Sequence, residues 1–134
     1  MTAETKKRIL VVDDESALCE VLKARLESFG YSVATALDGA QGWQQLLQVL
    51  PDIVLLDIRM PQEDGFTFLR KLRSFRDPQD SHREERVRKL PVIVITGTGE
   101  GMKSLFEQEQ ISAYIKKPID STVLKKLIEE NLPD

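Results

Sequence analysis

Ile53-Val54-Leu55-Leu56-Asp57-Ile58-Arg59-Met60-Pro61 decides how this chain reads: a continuous apolar run ends in an acid and then in a turn. A run of this length suits a strand covered on both faces, because a face open to water would show a polar residue at every second position. Two further runs have the same form. Ile9-Leu10-Val11-Val12 leads into Asp13-Asp14-Glu15, and Val92-Ile93-Val94-Ile95 leads into Thr96-Gly97. Residues 31–36, where Tyr31, Val33 and Thr35 alternate against Ser32, Ala34 and Ala36, and residues 113–115 read as edge or shorter strands.

Between these runs the apolar period lengthens to three and four. Leu18, Val21, Leu22, Leu26 and Phe29 mark one amphipathic helix with Gly30 as its stop, and Ala40, Trp43, Leu47 and Leu50 mark a second with Asp38 as its N-cap. Phe68, Leu69, Leu72 and Phe75 give a third. Met102, Leu105 and Phe106 give a short fourth within residues 101–109, and Leu124, Leu127 and Ile128 a fifth after Asp120-Ser121. The order βαβαβαβαβα predicts an α/β, doubly wound parallel sheet, since right-handed crossovers place helices on both faces. Ligands of such sheets collect at the carboxyl ends of the strands.

Composition narrows the function classes. At 134 residues the chain is expected to form one domain, residues 1–134, with a core over 8–132. A net charge of -3 offers no global attraction to nucleic acid or to an anionic membrane. Cys19 is the only cysteine and His82 the only histidine, which rules out an intramolecular disulfide and a Cys/His zinc cluster. No apolar stretch approaches the roughly 18 residues of a membrane span, and the N-terminus has no apolar signal region, so the expected location is the cytoplasm.

The chemistry lies in the polar residues just past the strands: Asp13-Asp14, Asp57, Thr96 and Lys117, all expected on one rim. Three carboxylates side by side repel one another and call for a cation. An all-oxygen set suits Mg²⁺, with Mn²⁺ as the alternative. A metal, a lysine and a hydroxyl around one aspartate meet the needs of phosphoryl transfer to a carboxylate, with Asp57 as the nucleophile.

In this order and at these strand ends, Val11-Val12-Asp13-Asp14-Glu15, Leu55-Leu56-Asp57-Ile58-Arg59-Met60-Pro61, Gly65, Ile95-Thr96-Gly97 and Lys117-Pro118 resemble the CheY-like receiver domains of two-component response regulators. The resemblance implies a flavodoxin-like (βα)5 fold with strand order 2-1-3-4-5. It implies that Asp13, Asp14, Asp57 and the backbone carbonyl of Arg59 hold the metal, and that Asp57 accepts the phosphoryl group. Thr96 and Lys117 would bind phosphoryl oxygens, and the Lys117-Pro118 bond would be cis. Tyr114 matches the switch aromatic, which moves with Thr96 and remodels the face of the fourth helix, fifth strand and fifth helix. Arg59 and Thr98 occupy positions that tune loss of the phosphoryl group. The implied partners are a sensor histidine kinase or phosphotransfer protein and an output domain or downstream protein at the switch face. A phosphorylation-dependent homodimer is also allowed; direct binding of nucleic acid or membrane is not expected.

Plainer readings stand beside these. Asp13 or Asp14 alone could cap a helix, and Asp57 alone could end a strand into a turn at Pro61 and Gly65. Lys116 reads as a solvated charge. Cys19 and Trp43 read as packing residues, and the glycine-rich 97–101 stretch as a loop without Walker features. Two rival functions remain: a pseudo-receiver that binds partners without phosphorylation, and an Asp-nucleophile phosphatase of the haloacid-dehalogenase type, which needs a second Asp where Arg59 stands.

The chain departs from the pattern in one segment. Asp57 and Thr96 lie 39 positions apart, several more than the family needs, and residues 70–90 carry eight Lys/Arg against four acids. This segment, centred on residues 73–90, reads as a solvated loop or helix extension. A docking surface is the sharper alternative.

Overall fold

In the computed structural model, which describes residues 6–60, 64–108 and 110–133, the elements run β1 (Arg8–Val12), α1 (Ser16–Ser28), β2 (Ser32–Ala36), α2 (Gly39–Val49) and β3 (Ile53–Asp57). They continue with α3 (Asp64–Arg73), α4 (Ser81–Arg88), β4 (Val92–Thr96), α5 (Met102–Glu107), β5 (Ala113–Lys116) and α6 (Ser121–Asn131). The strands form one parallel sheet in the order β2-β1-β3-β4-β5. The expected doubly wound, flavodoxin-like architecture is therefore present. Pro61, the expected turn residue, and Glu109, at the end of the expected fourth helix, lie outside the described residues.

Strand periodicity explains the unbroken apolar runs. Leu10, Val12, Val54, Leu56, Val92 and Val94 point to one face of the sheet and pack with Leu46, Phe68, Leu72 and Leu105 of the covering helices. Ile9, Val11, Ile53, Leu55, Ile93 and Ile95 point to the other, against Leu22 and Leu26 of α1 and Leu124 and Ile128 of α6. Every residue of β3 and β4 is buried, so neither strand has a solvent face on which alternation could show.

Local signals act as read. Gly30 follows α1 at φ +102, a backbone conformation that costs glycine little. Asp38 caps α2 by accepting from the Gln41 N–H at 2.8 Å, and Asp120 caps α6 through the N–H groups of Thr122 and Val123. Trp43 packs edge-on against Phe68 and Phe75, and Cys19 is buried.

The surplus segment differs from the expectation. A loop over residues 74–80 leads into a separate helix rather than an extension of α3, so the order is βαβαβααβαβα. The chain leaves α3 at Arg73, and Asp80 caps α4 by accepting from the Arg83 N–H at 3.0 Å. Of α4, Val87 alone is buried; Leu90 follows it into the core. Arg73 secures the arrangement with hydrogen bonds to the carbonyls of Arg88 and Leu90 (2.9 Å each) and Gln110 (2.7 Å). The remaining charges mostly pair nearby: Arg83 with Asp77, Arg76 with Glu84, Lys89 with Glu85, and Arg86 with Asp52 and the Leu50 carbonyl.

Candidate phosphoacceptor and metal site

Parallel strands ending in register bring their last residues to one rim. Asp57 closes β3, Thr96 closes β4, Asp13 and Asp14 come directly after β1, and Lys117 directly after β5. Among the described residues Asp13, Asp57 and Thr96 are the buried polar ones, beside a shell of apolar side chains, while Asp14 is exposed. One carboxylate oxygen from each of Asp13, Asp14 and Asp57 lies within 4.8 Å of the other two, a spacing that could hold a metal ion.

Each buried carboxylate is set by its backbone. The Arg59 N–H donates to Asp57 Oδ1 at 2.9 Å, and the Glu15 N–H donates to Asp13 Oδ1 at 2.9 Å. Asp13 Oδ2 is buried and has no hydrogen-bond partner among the described residues. An orphaned anionic oxygen is expensive, and a cation satisfies it. The Asp13 carboxyl is pushed up to about 6, chiefly by burial and further by Asp57; the Glu15 N–H and Lys117 work against that rise.

Lys117 lies across from this cluster, with Nζ 3.5 Å from Asp57 Oδ2, 3.6 Å from Asp13 Oδ2 and 2.5 Å from Glu15 Oε1. Burial disfavours its charge, but Glu15, Asp13 and Asp57 outweigh that and hold its pKa above the ordinary lysine value. Its backbone N–H donates to the Thr96 carbonyl at 2.9 Å, and the Lys117-Pro118 bond is cis. A cleft of about 380 Å³ opens over Asp57, lined by Asp14, Glu15, Arg59, Gly97, Thr98 and Lys117. At Gly97 an added Cβ would meet nothing within 4 Å, so the cleft is open beside Thr96.

Glu15 has no role legible in the sequence, although it supplies the shortest contact of Lys117. Gly65 stands among the motif and turn residues, with no contact assigned to it. A Cβ there would lie 2.6 Å from both the Asp57 carbonyl oxygen and the Ile58 Cα, so α3 rests on the backbone of the phosphoacceptor candidate itself. Neither role has a periodicity signal: Glu15 and Lys117 lie 102 positions apart, and the Gly65 contact depends on how α3 is set against the end of β3.

The structure brings Asp13, Asp14, Asp57 and Lys117 together around the cleft, with Thr96 buried at the adjacent strand end. The Thr96 hydroxyl oxygen accepts from the Gly99 N–H at 3.2 Å, and Thr98 accepts from the Glu100 N–H. Tyr114 is half-buried on the same face of the sheet as Thr96, its ring edge-on to Phe106 of α5 at 5.8 Å. The Arg59 side chain is exposed at the mouth, and Lys116 lies outside the cleft lining.

Residues 9–129 match the response regulator receiver domain family. The chain belongs to that family. It is 41% identical over 120 residues to the response regulator PleD of Caulobacter vibrioides, a match that covers 87% of this chain. It spans only 24% of PleD's length. The receiver fold also superposes on chemotaxis protein CheY4 of Vibrio cholerae with a TM-score of 0.81 at 22% identity, covering 96% of this chain and all of that one. A second likeness is to the receiver domain of sensor histidine kinase PA1611 of Pseudomonas aeruginosa, with a TM-score of 0.77 and 26% identity, over 95% of this chain and 98% of that one. That structure holds a magnesium ion in its active-site cleft. Receiver domains act as phosphorylation-dependent switches rather than turnover enzymes, and an aspartate cluster able to bind a metal fits that role. No helix of the described residues is long and apolar enough to cross a membrane.

Proposed function

We propose that this receiver accepts a phosphoryl group on Asp57 with Mg²⁺ as cofactor, Mn²⁺ serving as a substitute. The observation that carries this reading is the orphaned, buried Asp13 Oδ2 beside Asp57 and Asp14, a donor set of oxygens alone. Asp13, Asp14, Asp57 and the Arg59 carbonyl would hold the ion, which supplies charge neutralisation for the incoming phosphoryl oxygens. The magnesium in the PA1611 receiver supports the same assignment.

The chain's own residues do the rest. The Asp57 carboxylate, oriented by the Arg59 N–H, forms a bond to phosphorus as the donor P–N bond breaks and the imidazole nitrogen keeps that electron pair. Lys117 donates to one phosphoryl oxygen. Thr96 gives up the Gly99 N–H contact to donate its hydroxyl to another, and Tyr114 moves into the space vacated beside α5. That movement couples the pocket to the face of α5, β5 and α6, where an output domain, downstream protein or second copy would bind. The donor is a sensor histidine kinase or phosphotransfer protein, and a cytoplasmic location accompanies that partnership. The whole chain, with its core over 8–132, works as one receiver unit. Arg59 and Thr98 border the cleft and set how quickly water reaches the acyl phosphate.

Incubation with acetyl phosphate and Mg²⁺, with intact mass as the readout, tests this. Wild type should gain the mass of one phosphoryl group only with Mg²⁺, and Asp57→Asn should gain none. After donor removal, Arg59→Asn should decay at a different rate from wild type without losing the ability to form the adduct. A wild-type protein that never gains mass would establish the pseudo-receiver reading instead. The phosphatase reading lacks its second acid, since Arg59 stands in that place.

A further inference from the structure

We infer that Glu15 is the resident counter-anion of Lys117, a positioning residue that competes with an incoming phosphoryl group for the ammonium. The inference rests on the phosphoacceptor reading above.

The distances around Lys117 are unequal. Its Nζ lies 2.5 Å from Glu15 Oε1, a short charge-assisted hydrogen bond, but 3.5 Å from Asp57 Oδ2 and 3.6 Å from Asp13 Oδ2, both too long for one. An oxygen of a phosphoryl group on Asp57 would have to draw the ammonium from the Glu15 carboxylate that holds it most closely. The backbone cannot supply this movement, because the Lys117 N–H is fixed on the Thr96 carbonyl at 2.9 Å. Any such movement is a swing of the lysine side chain, and it stretches the bond to Glu15.

Glu15 is built to release. Its own N–H is anchored on Asp13 Oδ1 at 2.9 Å, so its Cα is held at the pocket wall by the pocket itself. Its side chain is 59% exposed, against 28% for Lys117, and can turn into water when the lysine leaves. Both residues line the cleft above Asp57. Before phosphorylation this pairing holds the ammonium beyond hydrogen-bond reach of the Asp57 and Asp13 carboxylates, though still within ion-pair distance of both. The same pairing opposes the phosphorylated state, because a phosphoryl oxygen competes with a carboxylate already in place.

Beryllofluoride, a phosphoryl mimic, provides the measurement. The full chain with Mg²⁺ is titrated as wild type, Glu15→Gln and Glu20→Gln, the last being an exposed residue of equal charge on α1. Glu15→Gln should lower the half-saturating beryllofluoride concentration by about two- to fivefold, the range expected for a partly exposed ion pair, and Glu20→Gln should leave it unchanged. A second reading needs no metal or anion: the ¹⁵N resonance of the Lys117 ammonium should move with Glu15→Gln and stay in place with Glu20→Gln. Equal midpoints for the two variants, or an unmoved Lys117 resonance, would overturn the inference while wild-type binding left the phosphoacceptor reading intact. Failure of wild type to bind beryllofluoride at all would overturn both.

Discussion

At the scale of single residues, the pocket is governed by which atoms have partners and which have no room. Gly65 shows the second case. Its hydrogen faces the Asp57 carbonyl and the Ile58 Cα at distances where no side-chain carbon fits, and both obstacles are backbone. Gly65→Ala must therefore push α3 away from the end of β3 or displace Asp57. The expected outcome is a loss of about 1–3 kcal/mol in urea unfolding. Phosphorylation by acetyl phosphate should also slow by about tenfold or more, because small misplacements of a reacting group are costly. Unchanged rates with reduced stability would place the whole shift in the helix.

At the scale of elements, the distinctive part is α4. A helix reading Ser81-His82-Arg83-Glu84-Glu85-Arg86-Val87-Arg88 buries one side chain, too little apolar surface to hold it by packing alone. Arg73 provides the missing attachment, joining the end of α3 to the last turn of α4, to the entry of β4 and to the entry of β5 through three carbonyls. Arg73→Met keeps the aliphatic stem but leaves those carbonyls without their charged donor. It should cost about 2–4 kcal/mol in urea unfolding. Phosphorylation should persist, since the attachment lies toward the strand starts and the pocket at the strand ends. A cost below about 0.5 kcal/mol would show that Val87 and Leu90 suffice.

At the scale of the whole molecule, fold stability and the pocket are linked through Asp13. Burial holds its carboxyl at about 6 against 3.8 for a free aspartate, so the folded protein binds this proton more tightly than the unfolded chain does. The contribution is fully present below 3.8 and is lost as pH rises through about 6. In EDTA, urea melts should show wild type losing ground to Asp13→Asn between about pH 4 and pH 7, by on the order of 2 kcal/mol. Added Mg²⁺ should recover the wild-type deficit at about pH 7, because a ligand of the native state stabilises it by mass action. A gap that stays constant with pH would mean that the Asp13 carboxyl is not held in its neutral form by burial. The same division between local and global causes separates what could be read from the sequence and what could not. Strands β1, β3 and β4, the caps at Asp38 and Asp120, and the convergence of Asp13, Asp14, Asp57, Thr96 and Lys117 were legible, because apolar period, capping chemistry and parallel topology are set by residues close in the chain. Helix α4 was not, because its charged sequence has no apolar period and it is held by Arg73 from outside. The receiver fold and the gathering of Asp13, Asp14, Asp57, Thr96 and Lys117 at one sheet edge were thus written in local pattern. That Lys117 rests on Glu15, that Gly65 abuts Asp57 and that the basic segment carries a docked helix emerged in three dimensions alone, because each is a contact whose distance is fixed by the packing of other elements.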